Sequence, residues 1–480
     1  MPEPDNGSLT RAELSGEPND SHRSAEASDR RHGSESIDRL GRLRRQIRDR
    51  FGPVGSEPVL RALDWALAHS PERENEIARL GSLLLAQHAD HASLAAMFLS
   101  RAASDAALGP LPNEFGDEIS GLVLDLRSVS PASDHEDGLG VLDLRPLMDS
   151  MTRDVRSVLL RVAGCVFDLE NAAQSTHERS DLRPMAREAF DVHAPLAERL
   201  GLYQLRRRLE DAAFRVLEPE VYRELSAAVA PIREQDEACV RILVDGVVRL
   251  LSRNGVTAEV VGRTKGLYSL YQKMLRKQCS VDQIMDRVGV RVIVDSVPTC
   301  YQVLGLLHAH FCPIPGTFHD YVGRPKENGY QSLHTCVHPL PGASAKPVEF
   351  QIRTQAMHTN AEFGAAAHWR YKNRCDADVI RSDQLRWLGD LSARCQVLDS
   401  PEFLEELRRQ VYEEQIVVFQ EEGGQLRLPA GSTVRDFLSR TLGWDRPDVV
   451  VHINGVHADD GAVLRDGDTV RASAARGRLS

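Results

Sequence analysis

With 480 residues, the chain has room for roughly two to four domains with buried cores. Apolar residues make up 42% and charged residues 27%, an ordinary globular balance, and a net charge of −11 excludes a chain that is basic overall, as a general nucleic-acid binder would be. No apolar run approaches the ~20 residues of a membrane span. The polar, acidic start lacks a signal-peptide pattern, and the eight scattered cysteines form no C-x-x-C pair, so a cytoplasmic chain without zinc or disulfides is expected.

Residues 1–50 are rich in Ser, Asp, Glu, Arg and Gly and predict a disordered tail. Helical apolar spacing follows, as at Leu60, Leu63 and Leu67 and at Val158, Leu159, Val162 and Val166, giving a helical domain over 51–200 that Gly201 closes as a C-cap. A helical connector is expected over 201–255. Alternating runs at Val288–Val294 and Val348–Ile352, flanked by helical patterns, predict a mixed α/β domain over 256–375. Residues 376–414 read as a helical linker. A small β-rich module spans 415–473, with strands at Ile416–Phe419, Gln425–Leu428 and Val449–Ile453, and 474–480 form a tail.

Five segments carry chemistry. Gly262-Arg263-Thr264-Lys265, read as a helix start, aligns Lys265, Ser269 and Lys273 on one face behind Arg263. That stripe suits a polyphosphate; the competing reading is a solvated basic face. In Asp286–Asp295 the valines point one way along a strand and Arg291 the other, with Asp286 at the strand mouth as a natural Mg²⁺ ligand or a turn residue. In Val348–Thr354, Glu349, Gln351 and Arg353 share a polar face, costly on an internal strand unless it lines a wet cleft. Glu349 pairs in role with Asp286, since phosphoryl-type transfer needs metal ligands and a group to orient or deprotonate the attacking hydroxyl. The loop from Asp320 to His334 offers Lys326 for phosphate, Asn328 for hydrogen bonds and Tyr330 for stacking on a purine. His358 and Glu362, one turn apart, read as a pair that supports the site, because H-E-x-x-H is absent.

Taken together, Gly262–Lys265, Asp286…Arg291, Asp320-Tyr321-Val322…Pro325–Thr335, Glu349–Thr354 and Ala365–Trp369 resemble the synthetase domain of the RelA/SpoT family. The resemblance implies a nucleotidyltransferase-like α/β fold that moves pyrophosphate from ATP to the 3′ hydroxyl of GDP or GTP, making (p)ppGpp. It assigns Asp286 and Glu349 as catalytic carboxylates holding Mg²⁺. Arg263, Lys265, Ser269 and Lys273 would grip ATP, Arg291, Gln351 and Arg353 would line the site, and Lys326, Asn328, Tyr330 and His334 would hold the guanine nucleotide.

The region before it resembles the all-helical HD hydrolase domain of the same family, with its metal ligands replaced. Leu99 and Ser100 stand where His-Asp is expected, Ala103 and Ser104 where paired acids are, and Gly164 replaces the later Asp, so hydrolysis is expected to be absent. The C-terminal module, with Leu428–Thr433 and Ile453-Asn454-Gly455, resembles a β-grasp-like TGS domain, through which a ribosome or deacylated tRNA could be met; no His lies between Thr433 and Trp444. The segment Gly316–Asp320 is neither the basic nor the acidic version of the family motif. A catalytically silent relative that binds nucleotide, or tRNA and ribosome, is the alternative reading.

Overall fold

The computed structural model describes residues 20–102, 114–128, 144–172, 182–284, 287–326, 328–338, 347–364, 387–412, 415–421, 423–442 and 449–474. Two compact units divide between Leu124 and Asp125.

In the first unit, α1 (Asp20–His69) bends at Gly52, whose φ of 69° only glycine adopts readily. The disordered tail expected over residues 1–50 is corrected for 20–50, which α1 takes up, while 1–19 lie outside the described residues. Leu43 and Ile47, one turn apart, are wholly buried. This narrow apolar stripe, joined beyond the bend by the wholly buried Val59, Leu63 and Ala66, docks the helix although the composition around it is strongly polar. Helices α2 (Glu74–Ala86) and α3 (His91–Ala102) meet at Gly81, where a Cβ would come within 2.8 Å of the Phe98 ring. Leu99 on α3 is fully buried, and the Ser100 hydroxyl donates to the Met97 carbonyl at 2.9 Å. The boundary between the units falls within α4 (Asp117–Arg127).

The second unit opens with α5 (Arg145–Arg153), α6 (Arg156–Ala172), α7 (Arg183–Glu188), a π turn at Ala189–His193, and α8 (Ala194–Arg199). Gly201, at φ 72°, ends α8 as expected, with the Leu202 amide donating to the Ala197 carbonyl at 2.8 Å. Helix α9 (Tyr203–Leu217) buries Leu205, Leu209, Ala212, Ala213 and Val216, and α10 (Pro219–Arg253) follows.

A six-stranded mixed sheet comes next: β1 (Glu259–Thr264), β2 (Val288–Val294), β3 (Cys312–Pro313), β4 (His319–Asp320), β5 (Leu333–His338) and β6 (Val348–Thr354). Its order is β1-β2-β6-β5-β3, with β4 also on β5; β2 and β6 are parallel, and the other pairs are antiparallel. Helix α12 (Val297–His310) packs on the strands, α11 (Leu267–Lys277) packs instead against α9 and α10 through Leu267 and Leu270, and α13 (Gln355–Phe363) follows β6 directly. Val288, Val290, Val292, Phe350 and Ile352 share a core with Val303 and Leu307 of α12 and with Leu243, Val247 and Leu251 of α10. Each such side chain stabilises the sheet by about 1.5–3 kcal/mol.

One expectation is corrected here. Arg263 lies on strand β1 rather than at a helix start, and Lys265 precedes the extended N-cap Gly266, so only Ser269 and Lys273 stand on α11. Pairing with β2, from Glu259 opposite Ile293 to Thr264 opposite Val288, fixes the segment as a strand.

A helical stretch over 387–395 and α14 (Ser400–Tyr412) occupy part of the expected linker. The remainder is a five-stranded sheet of β7 (Gln415–Gln420), β8 (Gln425–Pro429), β9 (Val449–Ile453), β10 (Val456–Ala458) and β11 (Thr469–Ala474), ordered β10-β9-β11-β7-β8. Its core takes Val434 and Phe437 from α15 (Val434–Leu442), with Val418, Leu428, Val451 and Val470. Arg324, in the turn after β4, reaches this module by two hydrogen bonds of 2.9 and 2.8 Å to Asp466. Among the described residues, no helix is long and apolar enough to cross a membrane.

Candidate active site on the sheet

The parallel pairing of β2 with β6 sets Gly289 opposite Glu349, Arg291 opposite Gln351 and Ile293 opposite Arg353. β1 adds Arg263 opposite Gly289, and β5 adds His334 opposite Gln351. Since side chains alternate along a strand, residues far apart in sequence form one polar face. Gly289 leaves that face bare between Arg263 and Glu349: a Cβ there would lie 3.9 Å from the Arg263 carbonyl and 4.0 Å from Glu349 Oε2.

One end of the face is crowded with guanidiniums. Glu362 on α13 accepts Arg291 Nη1 at 2.9 Å and Arg353 Nη2 at 2.8 Å on Oε1, and Gln204 Nε2 at 2.8 Å on Oε2. Arg353 Nη2 also bonds His358 Nδ1 at 2.8 Å. Arg207 of α9 donates to the Thr264 carbonyl at 3.3 Å. Burial, then the neighbouring Arg353 and Arg263, lower the Arg291 pKa to about 10 against the pull of Glu362. Burial and Arg263 likewise lower that of Arg207. Burial alone would raise the Glu362 carboxyl, but Arg291, the Gln204 hydrogen bond and Arg353 outweigh it and hold it well below the usual carboxylate range. His358 is pushed down by burial and by the same two arginines. The Nε atoms of Arg207, Arg263, Arg291 and Arg353 are buried without a hydrogen-bond partner among the described residues. Such an excess of buried positive charge and unused donors is suited to a polyanion.

At the other end, Glu349 receives Gln351 Nε2 at 3.1 Å and faces His334 Nδ1 at 3.6 Å. His334 Nε2 lies 2.7 Å from the Tyr330 hydroxyl. Tyr330 meets Tyr203, Tyr321 and His334 edge-on, and burial raises its phenol pKa. Lys326 Nζ sits 4.7 Å from the Tyr321 ring and 5.8 Å from that of Tyr330.

The site residues read from the sequence fall into distinct places. Arg263, Arg291, Glu349, Gln351, Arg353 and His334 share the sheet face, with Tyr330 and Lys326 beside it. Gln351 and Arg353 are 8% and 1% exposed, so the expected wet cleft does not extend over them; α13 encloses Arg353. Asn328 holds its loop to the helices, donating to the Glu198 carbonyl at 3.3 Å and to the Tyr203 hydroxyl, and accepting the Tyr330 amide at 3.2 Å. The Lys265 amide bonds the Arg287 carbonyl at 3.2 Å, and Ser269 and Lys273 are half-buried on α11. Asp286 lies outside the described residues, as does Ala365–Trp369. Glu349 fits as one ligand of a hard divalent cation, which takes one or two carboxylates and completes its shell with phosphate oxygens and water.

Gln204, Arg207 and Asp211 were not legible as part of the site. Asp211 accepts the Tyr268 amide at 2.8 Å and fills the space beside Gly266, where a Cβ would meet its Oδ2 at 2.6 Å. The available signal was the polar face of α9, with Gln204, Arg207 and Asp211 about one turn apart opposite Leu205 and Leu209.

Residues 262–376 match a family described as a region found in RelA / SpoT proteins, and residues 74–203 match an HD domain. The GTP pyrophosphokinase of Escherichia coli strain K12 is 38% identical over 299 residues, covering 62% of this chain and 40% of its own. That of Streptomyces coelicolor is 36% identical over 372 residues, covering 72% of this chain and 43% of its own. The chain therefore spans less than half the length of these relatives. The crystal structure of small alarmone synthetase 1 from Bacillus subtilis, 24% identical, covers 39% of this chain and 97% of its own at a TM-score of 0.26, too low to equate the folds. The polar sheet face thus lies within a RelA/SpoT region, and the chain carries that region together with an HD domain.

Proposed function

We propose that the chain transfers a pyrophosphoryl group from ATP to the 3′ hydroxyl of GDP or GTP, giving ppGpp or pppGpp. The observation that carries this reading is the single sheet face that joins Arg263 and Arg291 to Glu349 inside the RelA/SpoT region. The relatives named GTP pyrophosphokinase support it. In this reading the 3′ oxygen attacks the β-phosphorus of ATP, the bond to the α–β bridging oxygen breaks, and AMP departs. Arg263, Lys265, Ser269, Lys273 and Arg291 hold the ATP phosphates. Tyr330, Lys326 and His334 border the guanine nucleotide. Glu349, kept in place by Gln351, takes the hydroxyl proton or shares Mg²⁺ with Asp286. Bound Mg²⁺ would supply charge neutralisation at the phosphate oxygens.

The residues at the HD ligand positions, Leu99, Ser100 and Gly164, offer neither the imidazole nor the carboxylates of the family's metal site, so ppGpp hydrolysis is absent in this reading. The C-terminal module acts as a TGS domain that could meet a ribosome or deacylated tRNA, and the chain works in the cytoplasm. The test supplies the purified protein with labelled GDP or GTP, ATP and Mg²⁺, with and without ribosomes and deacylated tRNA. Labelled product from the wild type and none from Glu349→Gln is expected. Nucleotide binding without product from the wild type would leave only a silent binder.

A further inference from the structure

We infer that Glu362 is a positioning residue that aims Arg291 at the transferred phosphates and tempers their ground-state binding, an inference that rests on the reading above. Three observations meet at this carboxylate. Its Oε1 is shared by Arg291 and Arg353, from two parallel strands, at 2.9 and 2.8 Å. Its Oε2 is fixed by Gln204 at 2.8 Å, from a helix outside the sheet. Arg353 is itself 1% exposed and bonded to His358, so it is an immobile strut rather than a ligand-facing group. Arg291 therefore has one guanidinium nitrogen anchored to a rigid point, while its buried Nε has no partner among the described residues.

Two consequences follow, and they oppose one another. Anchoring removes the freedom of Arg291 to follow the phosphates of the ground state, and a donor held for the transition state is worth more than one that must reorganise. The negative charge of Glu362 also offsets part of the field of Arg291, Arg353, Arg263 and Arg207, so bound ATP is held less tightly than four uncompensated guanidiniums would hold it. Removing the charge while keeping the shape should tighten binding and slow turnover together. A carboxylate that merely braces the fold would, when removed, weaken both.

The test compares the full-length wild type with Glu362→Gln, measuring steady-state kinetics with ATP and GDP and the affinity for a non-hydrolysable ATP analogue. Glu362→Gln should bind the analogue about 3- to 10-fold more tightly, because an anion has left a low-dielectric site. Its kcat should fall about 10- to 100-fold from loss of aim. Unchanged kcat, or analogue affinity weakened in step with kcat, overturns the inference. Should Glu362→Gln fail to fold, Gln204→Leu decides: it frees the far oxygen of Glu362 without altering charge, and should lower kcat about 5-fold with analogue affinity retained. Wild type that binds the analogue but forms no product overturns the synthetase reading and the aiming role with it, whereas a product-forming wild type with unchanged Glu362→Gln kinetics overturns the role of Glu362 alone.

Discussion

Gly201 and Gly364 lie back to back: a Cβ on Gly201 would meet the Gly364 Cα at 3.0 Å, and one on Gly364 would run into the Leu200 carbonyl and the Gly201 backbone. Both have positive φ, 72° and 50°. The turn that ends α8 and the turn that ends α13 thus touch through backbone alone. Gly364→Ala should destabilise the protein by about 2–4 kcal/mol, combining overpacking with a strained φ. Gly305→Ala, on α12 with nothing near its Cβ position, should stabilise by about 0.5–1 kcal/mol. Urea unfolding of the two variants checks the contrast.

Arg353→Met should cost about 3–5 kcal/mol, because Arg353 is enclosed and its loss breaks a buried network. Equilibrium unfolding measures it. A cost below that of an ordinary surface substitution would show that Arg291 and Gln204 alone satisfy Glu362.

Glu210 gives a pH signature. Burial, aided by Glu198 and Asp211 against the pull of Arg206, raises its pKa to about 7. Between the unfolded value of about 4.3 and about 7 the folded state binds more protons, so this group's contribution to stability falls as pH rises through that window and stays low above it. Glu210→Gln should therefore stabilise least at pH 4, below both values, and by about 1–3 kcal/mol more at pH 8. Thermal melts at the two pH values decide; equal shifts at both would contradict it.

The Arg324–Asp466 pair is half-exposed, 50% and 52%. Arg324→Ala should change global stability by less than about 1 kcal/mol, with the effect vanishing at high salt. A loss of several kcal/mol in unfolding experiments would mean that the C-terminal module depends on this contact.

What the sequence revealed follows from periodicity. Strand alternation exposed Arg291 and Glu349 as members of polar faces opposite the valine rows, and the glycine after Leu200 announced the end of α8. The strand β1 was hidden because Gly262-Arg263-Thr264 has no apolar alternation of its own; its identity comes from pairing with β2. The expected tail concealed Leu43 and Ile47 because two apolar residues in a charged stretch barely move the composition. Gln204 and Glu362, 158 residues apart, share no local pattern, and only the packing of α9 beside α13 brings them together.

The central parallel pair, β2 against β6, has a kinetic corollary. Residues 295–347 must emerge and be folded back before β6 can zip onto β2, so the arginine-bearing face closes through distant contacts whose loop entropy is met before they are rewarded. On a ribosome, the helices up to α10 can settle while the sheet still lacks its middle strand. On the proposed synthetase reading, competence to bind nucleotide should then arise late and abruptly, once β6 has cleared the exit tunnel, and nascent chains halted before Val348 should have helical structure but no ligand affinity.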